Sequence, residues 1–289
     1  MLAFAANSVL NRLAVGAGLI DAVDYAVIRL AAGAVTLTLL VAARRVIFRG
    51  AVWPEWSGRV AGVLGLLTYL FAFSAAYLAL DAGTGALILF GSVQITMFAG
   101  AIIAREPVPP ARWAGAGLAF AGLLVLVAPV GGESIGTPGP LAAMGLAGVG
   151  WGVYSLAGRG GAGRGGAGRG ATDPVLATAA NFLLALPLAV GVGLVFGAGL
   201  AFGGQAVLRP QGVWLAVLSG SVTSGLGYAL WYGVVPRLGA ARAAVAQLTV
   251  PVLAAAGGAA LLDEAVGLRF LLASGLVLSG VWLASIVRR

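Results

Sequence analysis

The side chains able to do chemistry in this chain are few, and their types close off most reactions. There is no Cys and no His, and all 17 basic residues are Arg. Ser-His-Asp and Cys-His nucleophiles are therefore excluded, a disulfide framework is impossible, and zinc or haem lose their usual ligands. What remains are aromatic and hydrogen-bonding residues at helical spacing. Tyr69, Phe73 and Tyr77 recur at every fourth position and share one helix face. Ser224, Tyr228, Trp231 and Tyr232 fall in a similar pattern, as do Trp151, Tyr154 and Ser155. Asn7, Asn11, Ser92, Gln94, Gln247 and Thr249 add amides and hydroxyls within apolar stretches. Such groups bind and orient a solute; they do not break bonds. The competing reading is packing, since aromatics also fill core gaps or form interfacial belts. That reading suits Tyr77 and Tyr232, near helix ends, at least as well.

The elements that position these residues follow from composition. The chain has 289 residues, of which 61% are hydrophobic and only 9% charged. A soluble chain carries about a quarter charged residues, so there is too little polar surface here to solvate a globule. The class is an all-α polytopic membrane protein. A spanning helix needs about 20 mainly apolar residues. The sequence offers such stretches at 1–18, 22–43, 60–80, 84–104, 111–128, 138–157, 174–196, 211–235, 239–262 and 267–287, which predicts ten transmembrane helices. Pro187 and Pro251 fall inside two of them. The start, Met1-Leu2-Ala3-Phe4, has no basic region, so no cleaved signal peptide is expected.

Charge placement orients the bundle. With the N-terminus inside, Arg44, Arg45, Arg49, Arg59, Arg105, Arg112, Arg159, Arg164, Arg169, Arg237, Arg242, Arg288 and Arg289 are all cytoplasmic. Asp21, Asp24, Asp81, Glu133, Asp263 and Glu264 are on the other side, with only Arg209 and Arg269. This asymmetry predicts both termini in the cytoplasm of a bacterial plasma membrane. It also accounts for the net charge of +8 without a nucleic-acid partner. Arg12 and Arg29 lie within the first two spans, toward their outer ends. They read either as snorkelling to the headgroups or to Asp21 and Asp24, or as functional intramembrane charges. Residues 158–172 are Gly-rich with Arg at every fifth position, and read as a flexible cytoplasmic linker. A phosphate-binding P-loop would need Lys, which is absent.

The two sides of that linker repeat. Gly117 and Gly122 with the sequence between them match Gly275 and Gly280, and the same register sets Glu106 against Glu264 and Phe73 against Trp231. Phe4-Ala5-Ala6-Asn7-Ser8 resembles Trp151-Gly152-Val153-Tyr154-Ser155, with Arg12 opposite Arg159. The repeats span 1–130 and 138–289 within a single transporter-like domain. Five spans each is an odd number, so the second repeat enters from the opposite face. Inverted repeats around a midplane site are typical of secondary transporters.

On Arg29 in Ile28-Arg29-Leu30, on Trp151-Gly152-Val153-Tyr154, and on Pro251 followed by Asp263-Glu264 and the Gly275/Gly280 pair, the chain resembles the drug/metabolite transporter superfamily. The resemblance is to its EamA branch, and most to the aromatic amino-acid exporters within it. It departs at Val93, where the family often has Pro, and at Phe4, where it often has Trp. The resemblance implies a ten-helix basket whose helices one, three, four, six, eight and nine line a central cavity. It would place Asn7, Asn11, Tyr69, Phe73, Tyr77, Ser92, Gln94, Trp151, Tyr154, Ser155, Ser224, Tyr228, Trp231 and Gln247 at the substrate, with Pro251 as a hinge.

None of the nine acids lies mid-membrane in this assignment, and there is no His to carry a proton there. Proton-coupled multidrug relatives use a Glu in the first helix, which is absent here. The expectation is a non-enzymatic, cofactor-free, monomeric exporter of amino acids or related metabolites, working by alternating access and facilitated diffusion. Its partners are a small neutral or zwitterionic solute and the bilayer. A drug or nucleobase exporter is the alternative within the superfamily; an intramembrane enzyme or a structural membrane protein are alternatives outside it.

Overall fold

Proline starts several helices in this chain. Pro110, Pro138, Pro174 and Pro210 each open one, because a first-turn residue needs no intrahelical N–H partner and its φ is already helical. The computed structural model describes residues 1–47, 59–105, 108–128, 138–164, 174–197, 207–231, 234, 246–247 and 249–286. In chain order the helices are α1 Leu2–Asn11, extended by a π-helical stretch Arg12–Gly16, then α2 Ala22–Ile47, α3 Val60–Ala76, α4 Ala82–Ile103 and α5 Pro110–Val127. The second half gives α6 Pro138–Arg164, α7 Pro174–Phe196, α8 Pro210–Trp231, α9 Thr249–Leu262 and α10 Leu268–Ile286. The middle of α8, Ser219–Leu226, is π-helical.

Six of these helices, α2, α4, α5, α6, α7 and α8, are long and apolar enough to cross a membrane. α3, α9 and α10 are shorter but apolar. Large apolar side chains cover the outside: Trp113, Phe120, Leu194, Trp214, Leu230 and Leu271 are each more than half exposed. A water-soluble surface does not carry apolar patches on this scale, whereas a lipid-facing one does.

Hydrophobic burial does not hold such helices together in lipid, so close packing of small residues must. α3 packs along α6 at Gly65 and Gly150, where a Cβ on either would come within 2.8 Å of the other's carbonyl oxygen. α5 packs along α10. There Gly122 abuts Ala273 and Val277, while Gly280 abuts Gly115 and Ala119. α4 joins α6 and α9, α2 joins α7 and α8, and α1 lies between α9 and the π stretch of α8.

Two helix ends share one unusual geometry. Arg105 after α4 and Asp263 after α9 have φ of 55° and 54°, the left-handed cap position that Gly usually takes. α6 departs from the sequence expectation by continuing to Arg164, into the Gly/Arg stretch. Extending an existing helix fixes one residue per hydrogen bond, whereas nucleation fixes several. Gly costs only about 1 kcal/mol per residue in that extension. The remainder of the linker, like Glu106 and Tyr232, lies outside the described residues.

Candidate substrate cavity

The π-helical stretch of α8 turns a row of hydroxyls inward. A π turn shifts the register of the residues it contains, and such stretches concentrate at functional sites. Ser219, Thr223 and Ser224 are all buried as a result. Ser219 Oγ donates to Asn7 Oδ1 of α1 at 2.8 Å, and Thr223 Oγ1 sits against the same oxygen. The Asn7 carbonyl oxygen is thereby occupied, which leaves its two N–H bonds as the free hydrogen-bonding group.

Asn7 lines a narrow pocket, with room as it stands for about one water molecule, together with Phe4, Tyr69, Phe73, Leu89, Phe90, Trp151, Tyr228 and Gln247. The rings pack on one another. Trp151 contacts Tyr69, Tyr154 and Tyr228 at centroid separations of 5.0, 5.3 and 5.2 Å, and Phe4 meets Tyr228 edge-on at 5.6 Å. The wall is therefore aromatic with a few hydroxyl and amide groups, the usual make-up of a small-molecule site. Among the described residues no carboxylate lines it.

Arg29 lies directly behind that wall. It is 0% exposed, about two turns into α2. Its Nη2 donates to the Tyr69 hydroxyl at 2.9 Å and its Nε to Ser224 Oγ at 3.1 Å. The guanidinium also stands over the Tyr69 and Phe73 rings, 5.3 and 5.1 Å from their centroids. Neither Asp21 nor Asp24 reaches it, so the snorkelling reading fails for Arg29. The hydrogen bonds contribute roughly 1.5–3 kcal/mol each and a desolvated ring contact about 2. Together these offset several kcal/mol of burial, yet Nη1 has no hydrogen-bond partner.

Arg12 snorkels toward neither Asp21 nor Asp24. Its Nε donates to Glu264 Oε1 at 3.2 Å, and its Nη1 to the carbonyls of Tyr77 and Leu78 at 3.3 and 3.4 Å. Glu264 Oε2 accepts the Ala82 N–H at 2.8 Å, and Asp81 stands 3.9 Å from Arg12. This latch joins the ends of α1, α3 and α4 to the loop between α9 and α10. Burial raises the Glu264 carboxyl above its ordinary pKa, as does Asp81, against the opposing pull of the Ala82 N–H and Arg12.

Of the residues singled out from sequence, Asn7, Tyr69, Phe73, Trp151, Tyr228 and Gln247 meet at the cavity. The others take different places. Ser224 holds Arg29, and Asn11 donates to Ser74 at 3.1 Å. Tyr77 is fully buried, packs edge-on to Phe73 at 4.8 Å and donates to the Ala82 carbonyl, so it is no interfacial belt residue. Tyr154 stacks behind Trp151, and Ser155 bonds back to the Trp151 carbonyl. Ser92 packs at the α4–α6 contact, against Gly148. Gln94 is half-buried outside the lining, and Trp231 packs on Phe4 at 5.8 Å. Pro251 falls in the first turn of the described part of α9.

Sequence reasoning missed Phe4, Leu89 and Phe90 as lining residues. Phe4 stands one turn from Asn7, a signal that was present. Leu89 and Phe90 sit in an unbroken apolar run with nothing to distinguish them. Ser219 and Thr223 depend on the π register, which the sequence pattern does not display.

A bundle of apolar helices around an aromatic cavity now meets an independent comparison. Residues 139–286 match the EamA-like transporter family. The chain belongs to that family. This EamA-like protein is 43% identical over 281 residues to a protein of Pseudomonas aeruginosa described as uncharacterized protein PA1977, covering 97% of this chain and 90% of that one. A solved crystal structure with 21% sequence identity superposes with a TM-score of 0.66, covering 99% of this chain and 97% of the other, a likeness in fold. The family makes this a membrane transporter of the drug/metabolite superfamily, with a small-molecule substrate and the lipid bilayer as its partners.

Proposed function

We propose that the chain exports amino acids with apolar or aromatic side chains, or related metabolites, by alternating access without ion coupling. The observation that carries this is the cavity itself. Trp151, Tyr69, Tyr228 and Phe73 supply ring surface, Asn7 and Gln247 supply amides, and no carboxylate is among its lining residues. Such a wall has no strong attraction for a cationic drug and suits a neutral or zwitterionic solute. With no His in the chain and no Asp or Glu among the described residues that line the cavity, no group of that wall titrates to carry a proton.

Ten crossings in two inverted repeats underlie the mechanism in this reading. The contacts that support it are reciprocal. In the register that pairs Gly122 with Gly280, the neighbours of one glycine, Ala273 and Val277, are the counterparts of the neighbours of the other, Gly115 and Ala119. The left-handed caps Arg105 and Asp263 are counterparts in the same register. The Arg12–Glu264 latch closes one end of the bundle. Its counterparts at the other end, Arg159 and Glu106, have side chains outside the described residues. The end carrying Asp21, Asp81, Asp263 and Glu264 is the outer one, the Arg-rich end with the linker and both termini is cytoplasmic, and the membrane is the bacterial inner membrane.

Counterflow in proteoliposomes tests this. Exchange of labelled phenylalanine or leucine against an unlabelled amino-acid pool is expected; exchange of cationic drugs or nucleobases in their place contradicts it.

A further inference from the structure

We propose that Arg29 and Tyr69 form an anion-selecting pair, so that the solutes this cavity takes must carry a carboxylate. The inference rests on the transport reading above and narrows its substrate class.

Arg29 is a full positive charge sealed from water, and among the described residues no carboxylate pairs with it. The ionisable groups that face it are the phenols of Tyr25, Tyr69 and Tyr228. Its Nη1 has no hydrogen-bond partner. A buried guanidinium left short of negative charge is a site awaiting an anion. Its position says where that anion comes from. Tyr69 and Phe73, over whose rings the guanidinium lies, are both in the cavity wall.

Tyr69 passes the charge into the cavity. Its oxygen accepts from Arg29 Nη2 at 2.9 Å. Its own proton is thereby turned away from the guanidinium and made a stronger donor by it. Asn7 adds a second donor, because its carbonyl oxygen is already held by Ser219 and approached by Thr223. Two donors backed by a cation match the two oxygens of a carboxylate, and the surrounding rings match an apolar side chain. Arg29 acts through Tyr69 and is a positioning residue; Tyr69 and Asn7 touch the solute.

The test compares each amino acid with its own carboxyl-free analogue. The full-length protein in proteoliposomes is assayed for counterflow competition by phenylalanine, phenylalaninamide and phenethylamine, and by leucine and leucinamide. The wild type is expected to favour each amino acid over its amide by at least about tenfold. Arg29→Gln should lower competition by the amino acids at least about tenfold more than competition by their amides, and Arg29→Lys should restore part of the preference. A purely structural arginine would lower competition by both classes alike, and that result overturns the proposal. Tyr69→Phe gives the same readout if Arg29→Gln fails to insert. Flux with no carboxylate preference in the wild type overturns this proposal alone. No flux of any amino acid, amide or amine overturns the transport reading and this proposal with it.

Discussion

Arg105 and Asp263 share a left-handed backbone φ, 55° and 54°, at the ends of α4 and α9. Neither is Gly, so each carries a cost of about 1 kcal/mol or more that its surroundings must offset. In the repeat register proposed above the two positions correspond, and copies of one unit would share this constraint.

That relation makes a packing prediction. Gly122→Leu and Gly280→Leu should destabilise the protein to similar extents, by about 1–3 kcal/mol or more from overpacking, since each side chain would strike the facing helix. Gly117→Leu and Gly275→Leu, with nothing within 4 Å, should be near neutral. Thermal unfolding in detergent measures this; a large difference between Gly122 and Gly280 would argue against paired roles.

The latch makes a second. Arg12→Leu removes the partner of Glu264 and two bonds to carbonyls. Discounted for partial exposure, the loss is about 1–2 kcal/mol of the latched state. The chain has no Cys, so a single Asn11→Cys reports access. Its labelling by a thiol reagent from the Glu264 side should speed up about tenfold in the Arg12→Leu background. Unchanged labelling would show that the latch does not gate that end.

The pH dependence of the same latch has a definite sign. The latched Glu264 carboxyl has a raised pKa, with burial the leading cause and Arg12, Asp81 and Tyr77 around it. A group whose pKa is higher when latched than when exposed binds its proton more tightly in the latched state. The cost of burying its charge is full above the raised pKa and is relieved as pH falls through it. Acidifying the Glu264 side should therefore slow Asn11→Cys labelling, corrected for thiolate fraction, and Glu264→Gln should remove the effect. Faster labelling in acid would mean that the Arg12 ion pair outweighs burial.

Much of the helical layout was legible because apolar runs of membrane length leave few alternatives. The small residues at the α5–α10 contact, Gly122 and Gly280 among them, are those that close helix packing demands. The site was only partly legible. Tyr69, Phe73, Trp151 and Tyr228 announce themselves by type and spacing, but Leu89 and Phe90 are indistinguishable from lipid-facing neighbours. Arg29 was visible as a charge in a span, yet whether it reaches outward or inward depends on Tyr69 and Ser224, which lie far away in sequence. The hydroxyl row of α8 depends on a π register that no simple period reveals.

The proposed topology rests on the Arg asymmetry and is checked by labelling. Gly163→Cys, in the Gly/Arg stretch, should be protected from impermeant thiol reagents added outside intact cells, while Glu133→Cys should react. Equal rates at the two positions would refute the assigned orientation.

The central claim is solute transport through the aromatic cavity without ion coupling, and one measurement addresses it most directly. Sealed proteoliposomes are preloaded with a mixed amino-acid pool, and efflux is followed first with no ion gradient and then after a pH step. The account predicts efflux of apolar and aromatic amino acids down their gradients, lost on Trp151→Ala, with no accumulation in either direction driven by the pH step. Absence of efflux would contradict transport of these solutes, and accumulation above equilibrium that a protonophore abolishes would contradict the uncoupled mechanism.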